Sequence, residues 1–349
     1  DVLMHLTEDE IQLAKKMLAE DKVRVELIDT TEKVLIRAKL WSETRSNWSE
    51  VTIRGRHDLV TEVWKDDVCL EHDQENAKEG VKLNDAAWRK SFYAMPLKAL
   101  VRLVDGLNPE PLAFLLDGIT MNKRMADVGM GSPTGLGTAY ALKQRYGPKH
   151  GLRDLGRLAM TMTAAASDAR MAGVDLPVMS SNGSGNNGIT AIMPLAAYFD
   201  LNSTSREDQI KALALSHLFN SYIKAEIGRL SALCSCGIAA ATGASAAIAW
   251  LETRDPEIVE SAVINMIANL SGMVCDGAKL GCALKLATAA STAVETAALA
   301  QDGIRVPAGN GLVGRTVEET ILNLGRLSQQ GMQLADTVVL EIQAEFGQR

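Results

Sequence analysis

The chain has 349 residues, 47% apolar and 23% charged, which suits a folded chain of two domains or one large domain with an appendage and excludes a disordered one. A net charge of −7, with a pI near 5.4, argues against nucleic acid as the main partner. No charge-free apolar run reaches the ~18 residues that a membrane-spanning helix needs, and aromatics at 4% favour closely packed helices over an aromatic-filled sandwich.

Residues 7–20 carry apolar positions at helical spacing, with Thr7 and Glu10 forming a capping-box pattern. The sequence begins at Asp1 rather than at a methionine and enters this helix almost at once, so a piece of a longer polypeptide is expected. The period then changes to two. Val23–Ile28, Val34–Trp41, Val51–Arg54 and Leu59–Trp64 read as strands of an antiparallel meander paired with the first helix. The polar stretch His72–Gly80 marks the boundary, giving an α+β unit at 1–80 and an all-helical domain at 81–349. Cys69 reads as a small structural hydrophobe at the end of the last strand, and His57 as a solvated turn residue.

Beyond the boundary only helices are predicted. They run Pro96–Val104, Pro109–Leu116, Leu152–Ala172, Ile189–Tyr198, Arg206–Gly228, Leu230–Glu252, Ile258–Leu270, Ala283–Ala300 and Val317–Phe346, with a glycine-rich link at Val128–Gly135.

Two stretches hold the chemistry. Pro177–Ile189 interleaves three glycines with Ser181, Asn182, Ser184 and Asn186 between apolar helices. It lacks the Gly-Lys-Ser/Thr of a phosphate-binding loop and the βαβ surroundings of a dinucleotide fingerprint. It reads instead as a nest for a carboxylate, with Asn182, Ser184 and Asn186 as side-chain donors; the bland alternative is a flexible connection. The second stretch is the set Cys234, Cys236, Cys275 and Cys282. With five cysteines in all and no secretory leader, a reducing cytoplasm fits best, where clustered cysteines are more often metal or redox groups than staples. The spacings match neither structural zinc nor ferredoxin patterns. On a helix Cys234 and Cys236 would point about 200° apart, so one of them is expected in the core. Three convergent thiolates could hold a four-iron cluster with one iron open as a Lewis acid, or could be buried small residues of an Ala-rich bundle. His217 lies on an apolar helical face and is a candidate general base or a hydrogen-bonded core residue. Arg170 could clamp a carboxylate or pair with Asp168. Lys224, Glu226 and Arg229 read as a solvated face.

Four ordered motifs carry a family resemblance: Ala165–Gly173, Ser181–Ala191, Gly228–Cys234, and Ser271–Ala278 with Cys282. The sequence resembles the L-cysteine desulfidase family, relatives of the alpha part of iron–sulfur L-serine dehydratases, over nearly its whole length. The resemblance implies a 4Fe-4S cluster on Cys234, Cys275 and Cys282, and β-elimination from L-cysteine giving sulfide, pyruvate and ammonia. It places the substrate carboxylate at Ser181, Asn182, Gly183, Ser184, Gly185 and Asn186, and leaves Cys236 outside the ligand set. L-serine as substrate, or a non-catalytic amino-acid-binding or redox-sensing role, are the alternatives. Family members also carry a further N-terminal segment with a Pro-Ala-Leu-Gly-Cys-Thr-Glu-Pro motif that is absent here. The expected partners are therefore a small amino acid, a second copy of the chain, or a separate chain bearing that segment; nucleic acid and membrane are not expected.

Overall fold

The computed structural model describes residues 6–28, 30, 32, 34–55, 59–72, 87–150, 154–228 and 231–347. His57, Arg229 and the expected boundary at residue 80 lie outside them. The chain is α+β, and it divides into two compact units: Asp1–Val23 with Pro96–Gln343, and Arg24–Met95 with Ala344–Arg349.

The smaller unit is built on one antiparallel sheet in the order β1 (Leu35–Trp41), β2 (Trp48–Arg54), β3 (Val60–Lys65) and β4 (Val68–His72). Short connections force neighbours in sequence to be neighbours in the sheet. Leu35 faces Arg54 across the first pair and Trp41 faces Trp48. Lys39 places its ammonium 3.7 Å from the Trp48 ring centroid and 3.4 Å from Glu50. Val23–Ile28, predicted as a strand, has no regular structure and is exposed throughout; no strand among the described residues pairs with it. The fourth strand is instead Val68–His72, with Cys69 exposed opposite Trp64. The first helix, α1 (Glu8–Ala19), has the expected capping box at Thr7 and Glu10 but buries no residue. It falls with the larger unit; the helix that shares the sheet's unit is α2 (Ala87–Tyr93).

Among the described residues of the larger unit the regular elements are helices, apart from isolated bridges. Its elements are α3 (Leu97–Asp105), α4 (Leu115–Gly131), α5 (Thr138–His150), α6 (Leu155–Met171), α7 (Gly185–Leu201), α8 (Arg206–Ile227), α9 (Ala241–Thr253), α10 (Pro256–Leu270), α11 (Cys282–Gln301), α12 (Val317–Arg326) and α13 (Gln333–Gly347). Asp154, Ser184, Ser205, Asp255 and Thr316 each cap the helix that follows with a side-chain oxygen. The Leu230–Glu252 prediction resolves into an extended piece, a π-helical turn at Cys236–Ala240 and α9; Val317–Phe346 breaks at a second π turn, Leu327–Gly331.

Several helices bury long unbroken runs. Every residue of α6 from Thr161 to Ala169 is buried, as are Gly185–Tyr198 of α7 and Ala241–Trp250 of α9. An Ala-rich helix with no polar face can only be stable inside, and small side chains let its neighbours approach closely. α6 packs against α4, α7 and α11, and α9 against α8, α10 and α11. One core runs through Met125, Ala165, Met193 and Leu286, and α7 enters it directly from the glycine-rich loop.

Candidate active site

The loop is a tight hairpin rather than an open nest. Ser181 N–H donates to Ser184 O and Ser184 N–H to Ser181 O, both at 3.1 Å. The two residues between them sit in the left-handed region, Asn182 at φ 50° and Gly183 at φ 76°. Consecutive positive φ values make a type I′ turn, and Asn-Gly is the pair that adopts it most readily. Ser184 then caps α7, accepting from Asn187 N–H at 3.4 Å. Gly188 lets the incoming strand cross the helix, since a Cβ there would stand 1.8 Å from Met179 O. Met179 N–H is fixed in turn by Asn122 Oδ1 of α4 at 3.0 Å.

One side of the turn is held by a polar stripe on α8. His217 Nδ1 lies 2.9 Å from Ser181 Oγ, and Asn220 Nδ2 donates to the same oxygen at 2.9 Å. Ser221 Oγ donates to Asn182 Oδ1 at 3.1 Å, and Lys224 Nζ to Asn182 O at 3.0 Å. These four residues follow the three–four spacing of one helix face. Lys224 is therefore buried, not part of a solvated face. Asn220 donates to Ser181 Oγ, so that hydroxyl can either donate its own hydrogen to His217 Nδ1 or accept a second bond from Nδ1–H. His217 Nε2 has no hydrogen-bond partner among the described residues. Burial pushes the imidazole down from 6.5 to about 4, so it is neutral at pH 7.

The other side of the turn meets the cysteines. Asn187 Nδ2 donates to Ser235 Oγ at 3.1 Å, and Ser184 Oγ lies 3.9 Å from Cys236 Sγ. An isolated bridge joins Leu233 to Val274, with Cys234 N–H donating to Met273 O at 2.8 Å and Cys275 N–H to Ala232 O at 2.7 Å. Cys282 opens α11, its sulfur accepting from Lys279 N–H at 3.5 Å. Lys285 donates to Val274 O at 2.7 Å and also to Asp276, which takes Lys279 as well.

The helix-face argument for setting Cys236 apart fails. Cys234 precedes the π turn and Cys236 starts it, so the two are not on an α-helix. Their thiols hydrogen-bond: Cys236 stabilises the Cys234 thiolate and brings it down to about 6, with the Lys285 ammonium assisting. The same bond, with burial, pushes Cys236 up. Burial raises the Cys275 thiol, and the nearby Cys234 and Cys282 sulfurs add to the rise. Among the described residues no three His, Cys, Asp or Glu side chains converge on a single ion. A four-iron cluster is a larger body whose ligands stand further apart, and three thiols, Cys234 ahead of the π turn with Cys275 in the loop leading into α11 and Cys282 at its start, suit it in donor chemistry.

Arg170 ends α6 beside the start of α7. Its Nη1 donates to Asn186 Oδ1 at 3.3 Å, and its guanidinium lies so close to Gly185 that a Cβ there would be 2.4 Å from Nε. Asp168 is not its partner. Asp168 Oδ2 accepts from Ala139 N–H at 2.9 Å and holds the start of α5, which leaves the half-buried guanidinium without a carboxylate within 4 Å among the described residues. The site thus gathers Arg170, the 181–184 turn, His217 and Cys236. Asn182 and Gly183 at its tip are exposed. Asn220 and Ser221 escape the sequence reading, which takes Lys224 as solvated, although polar residues recurring at helical spacing from His217 are a legible signal.

A family model described as serine dehydratase alpha chain matches residues 8–341. The chain belongs to the serine dehydratase alpha chain family. A UPF0597 protein of Clostridioides difficile (strain 630) is 44% identical over 345 residues, covering 98% of this chain and 79% of the relative. One from Alkaliphilus metalliredigens (strain QYMF) is 44% identical over 356 residues, 99% of this chain and 76% of its own length. The UPF0597 protein of Caldanaerobacter subterraneus subsp. tengcongensis is 38% identical over 343 residues, with 98% and 78% covered. That shared name specifies no substrate. No helix among the described residues is long and apolar enough to cross a membrane.

Proposed function

We propose that this member of the family catalyses β-elimination from L-cysteine, releasing sulfide, pyruvate and ammonia, with a 4Fe-4S cluster held by Cys234, Cys275 and Cys282. The observation that supports it is the Ser181–Ser184 turn, which joins His217 on one side to Ser235 and Cys236 on the other. When bound, the cluster would supply a Lewis-acidic iron for the sulfur leaving group.

The chain's own residues do the rest. Arg170 and the N–H groups at the turn and the α7 N-terminus hold the substrate carboxylate, where a guanidinium and a helix dipole both favour negative charge. His217 Nε2 takes the proton from Cα. The electron pair left on Cα forms the Cα–Cβ double bond as the Cβ–S bond breaks, and hydrosulfide departs. The resulting aminoacrylate tautomerises and is hydrolysed by water to pyruvate and ammonia. A buried imidazole held near 4 is uncharged throughout the neutral range, and in the tautomer that donates from Nδ1 to Ser181 Oγ its Nε2 is free to take the proton.

L-serine is the second reading, favoured by the family's description, with water leaving in place of sulfide. Anaerobic reconstitution with iron and sulfide, followed by sulfide and pyruvate assays on both amino acids, tests these readings. A brown protein with sulfide release from L-cysteine is expected. Pyruvate from L-serine alone selects the second reading, binding without turnover marks a non-catalytic member, and a colourless product rejects the cluster.

A further inference from the structure

Lys224 is buried, yet its ammonium is directed at a backbone carbonyl on an exposed turn. The turn does not need it to form, because the two Ser181–Ser184 backbone bonds and the Asn-Gly pair already specify the type I′ geometry. What the contact does is fix one peptide plane. No peptide bond in the described chain is cis, so the C=O of Asn182 and the N–H of Gly183 point in opposite directions. Anchoring the oxygen on α8 through Lys224, with Ser221 holding the Asn182 side chain, aims the Gly183 N–H away from α8. A cation on the oxygen also polarises the peptide and strengthens the N–H as a donor.

We propose that Lys224 is a positioning residue, which orients and polarises the Asn182–Gly183 peptide so that Gly183 N–H binds the substrate carboxylate. The inference rests on the amino-acid-binding reading above. It assigns carboxylate affinity to a residue that touches no substrate, complementing Arg170 at the α7 end of the same loop.

The test uses the reconstituted holoenzyme and two inert probes. L-alanine has the ammonium and carboxylate of the substrate but no leaving group, and L-alaninamide lacks the carboxylate. Calorimetry should show the wild type binding L-alanine in preference to the amide. Lys224→Met should bind L-alanine about tenfold more weakly, about 1.4 kcal/mol, with its melting temperature and cluster absorbance kept and its KM for L-cysteine raised while kcat holds. Lys224→Arg, which restores a charged donor, should return to within about threefold of the wild type. Unchanged L-alanine affinity in Lys224→Met overturns the inference and leaves the proposed function standing. A wild type that does not distinguish L-alanine from its amide overturns the carboxylate grip itself and the inference with it. If the methionine variant fails to fold, Lys224→Gln, a donor without charge, decides: weaker binding supports the assignment and wild-type binding overturns it.

Discussion

Replacing His217 by asparagine isolates the imidazole at the centre of the site. An asparagine amide stands near the position of Nδ1 and can still donate to Ser181 Oγ, so the turn keeps its partner while the titrating ring is lost. In the native chain burial holds this imidazole at about 4 against an ordinary value of 6.5, a gap of roughly 3 kcal/mol between the two protonation states. The sign follows from proton binding. Below pH 6.5 the unfolded chain binds a proton at His217, whereas the native chain does not until about pH 4, so native stability falls as the pH is lowered across that window. Urea unfolding followed by far-ultraviolet circular dichroism would be run on both proteins at pH 7 and pH 5. The lost hydrogen bond lowers the variant's stability by a similar amount at both pH values, and other titrating groups cancel in the comparison. The wild type should therefore lose roughly 2 kcal/mol more than the variant between pH 7 and pH 5. Parallel losses would show that His217 is accessible to protons, and would remove the reason for treating it as a neutral, buried base.

Gly188→Ala should lower stability by about 3 kcal/mol or more, because its Cβ would meet the backbone oxygen of Met179; Gly131→Ala, with open space around it, should be neutral in the same thermal melts. Serine at Cys234, Cys275 or Cys282 should each abolish the cluster absorbance after reconstitution, while Cys236→Ser, whose thiol is the protonated partner of Cys234, should keep it. Arg170→Lys should raise the KM for the amino acid about tenfold with little change in kcat, since a point charge cannot form the bidentate contact; steady-state kinetics on both proteins checks it. Asp168→Ala should destabilise the protein by about 1–2 kcal/mol without changing KM, because its oxygen caps α5 rather than pairing with Arg170.

The serine–asparagine–glycine loop shows where sequence was enough and where it was not. Its Asn182-Gly183 pair is a local signal for a type I′ turn, and Ser184 is a local signal for a helix start, so the hairpin leading into α7 was legible in the residues. Interleaved glycines suggested an open nest because the two-way bond between Ser181 and Ser184 becomes apparent only once the turn is closed. The helices were legible for the same local reason, as capping residues and three–four spacing act within a few turns. Val23–Ile28 was not, since alternation predicts a face but only a neighbouring strand makes a sheet.

By itself the sequence determined the helical bulk of the chain, the antiparallel sheet before it, and the residue types from which a site could be made: three thiols, a glycine-rich loop, a histidine and an arginine. Tertiary structure decided which of these meet. Cys236 lies beside Cys234 because their segment leaves the α-helix for a π turn, which the count of residues between them does not reveal. Lys224 is buried because the turn at Asn182 arrives on its face of α8, and Arg170 is without Asp168 because that carboxylate caps a helix thirty residues upstream in sequence order. Side-chain chemistry is written locally, but its partners come from segments far apart in the chain, and only packing brings them within hydrogen-bonding distance.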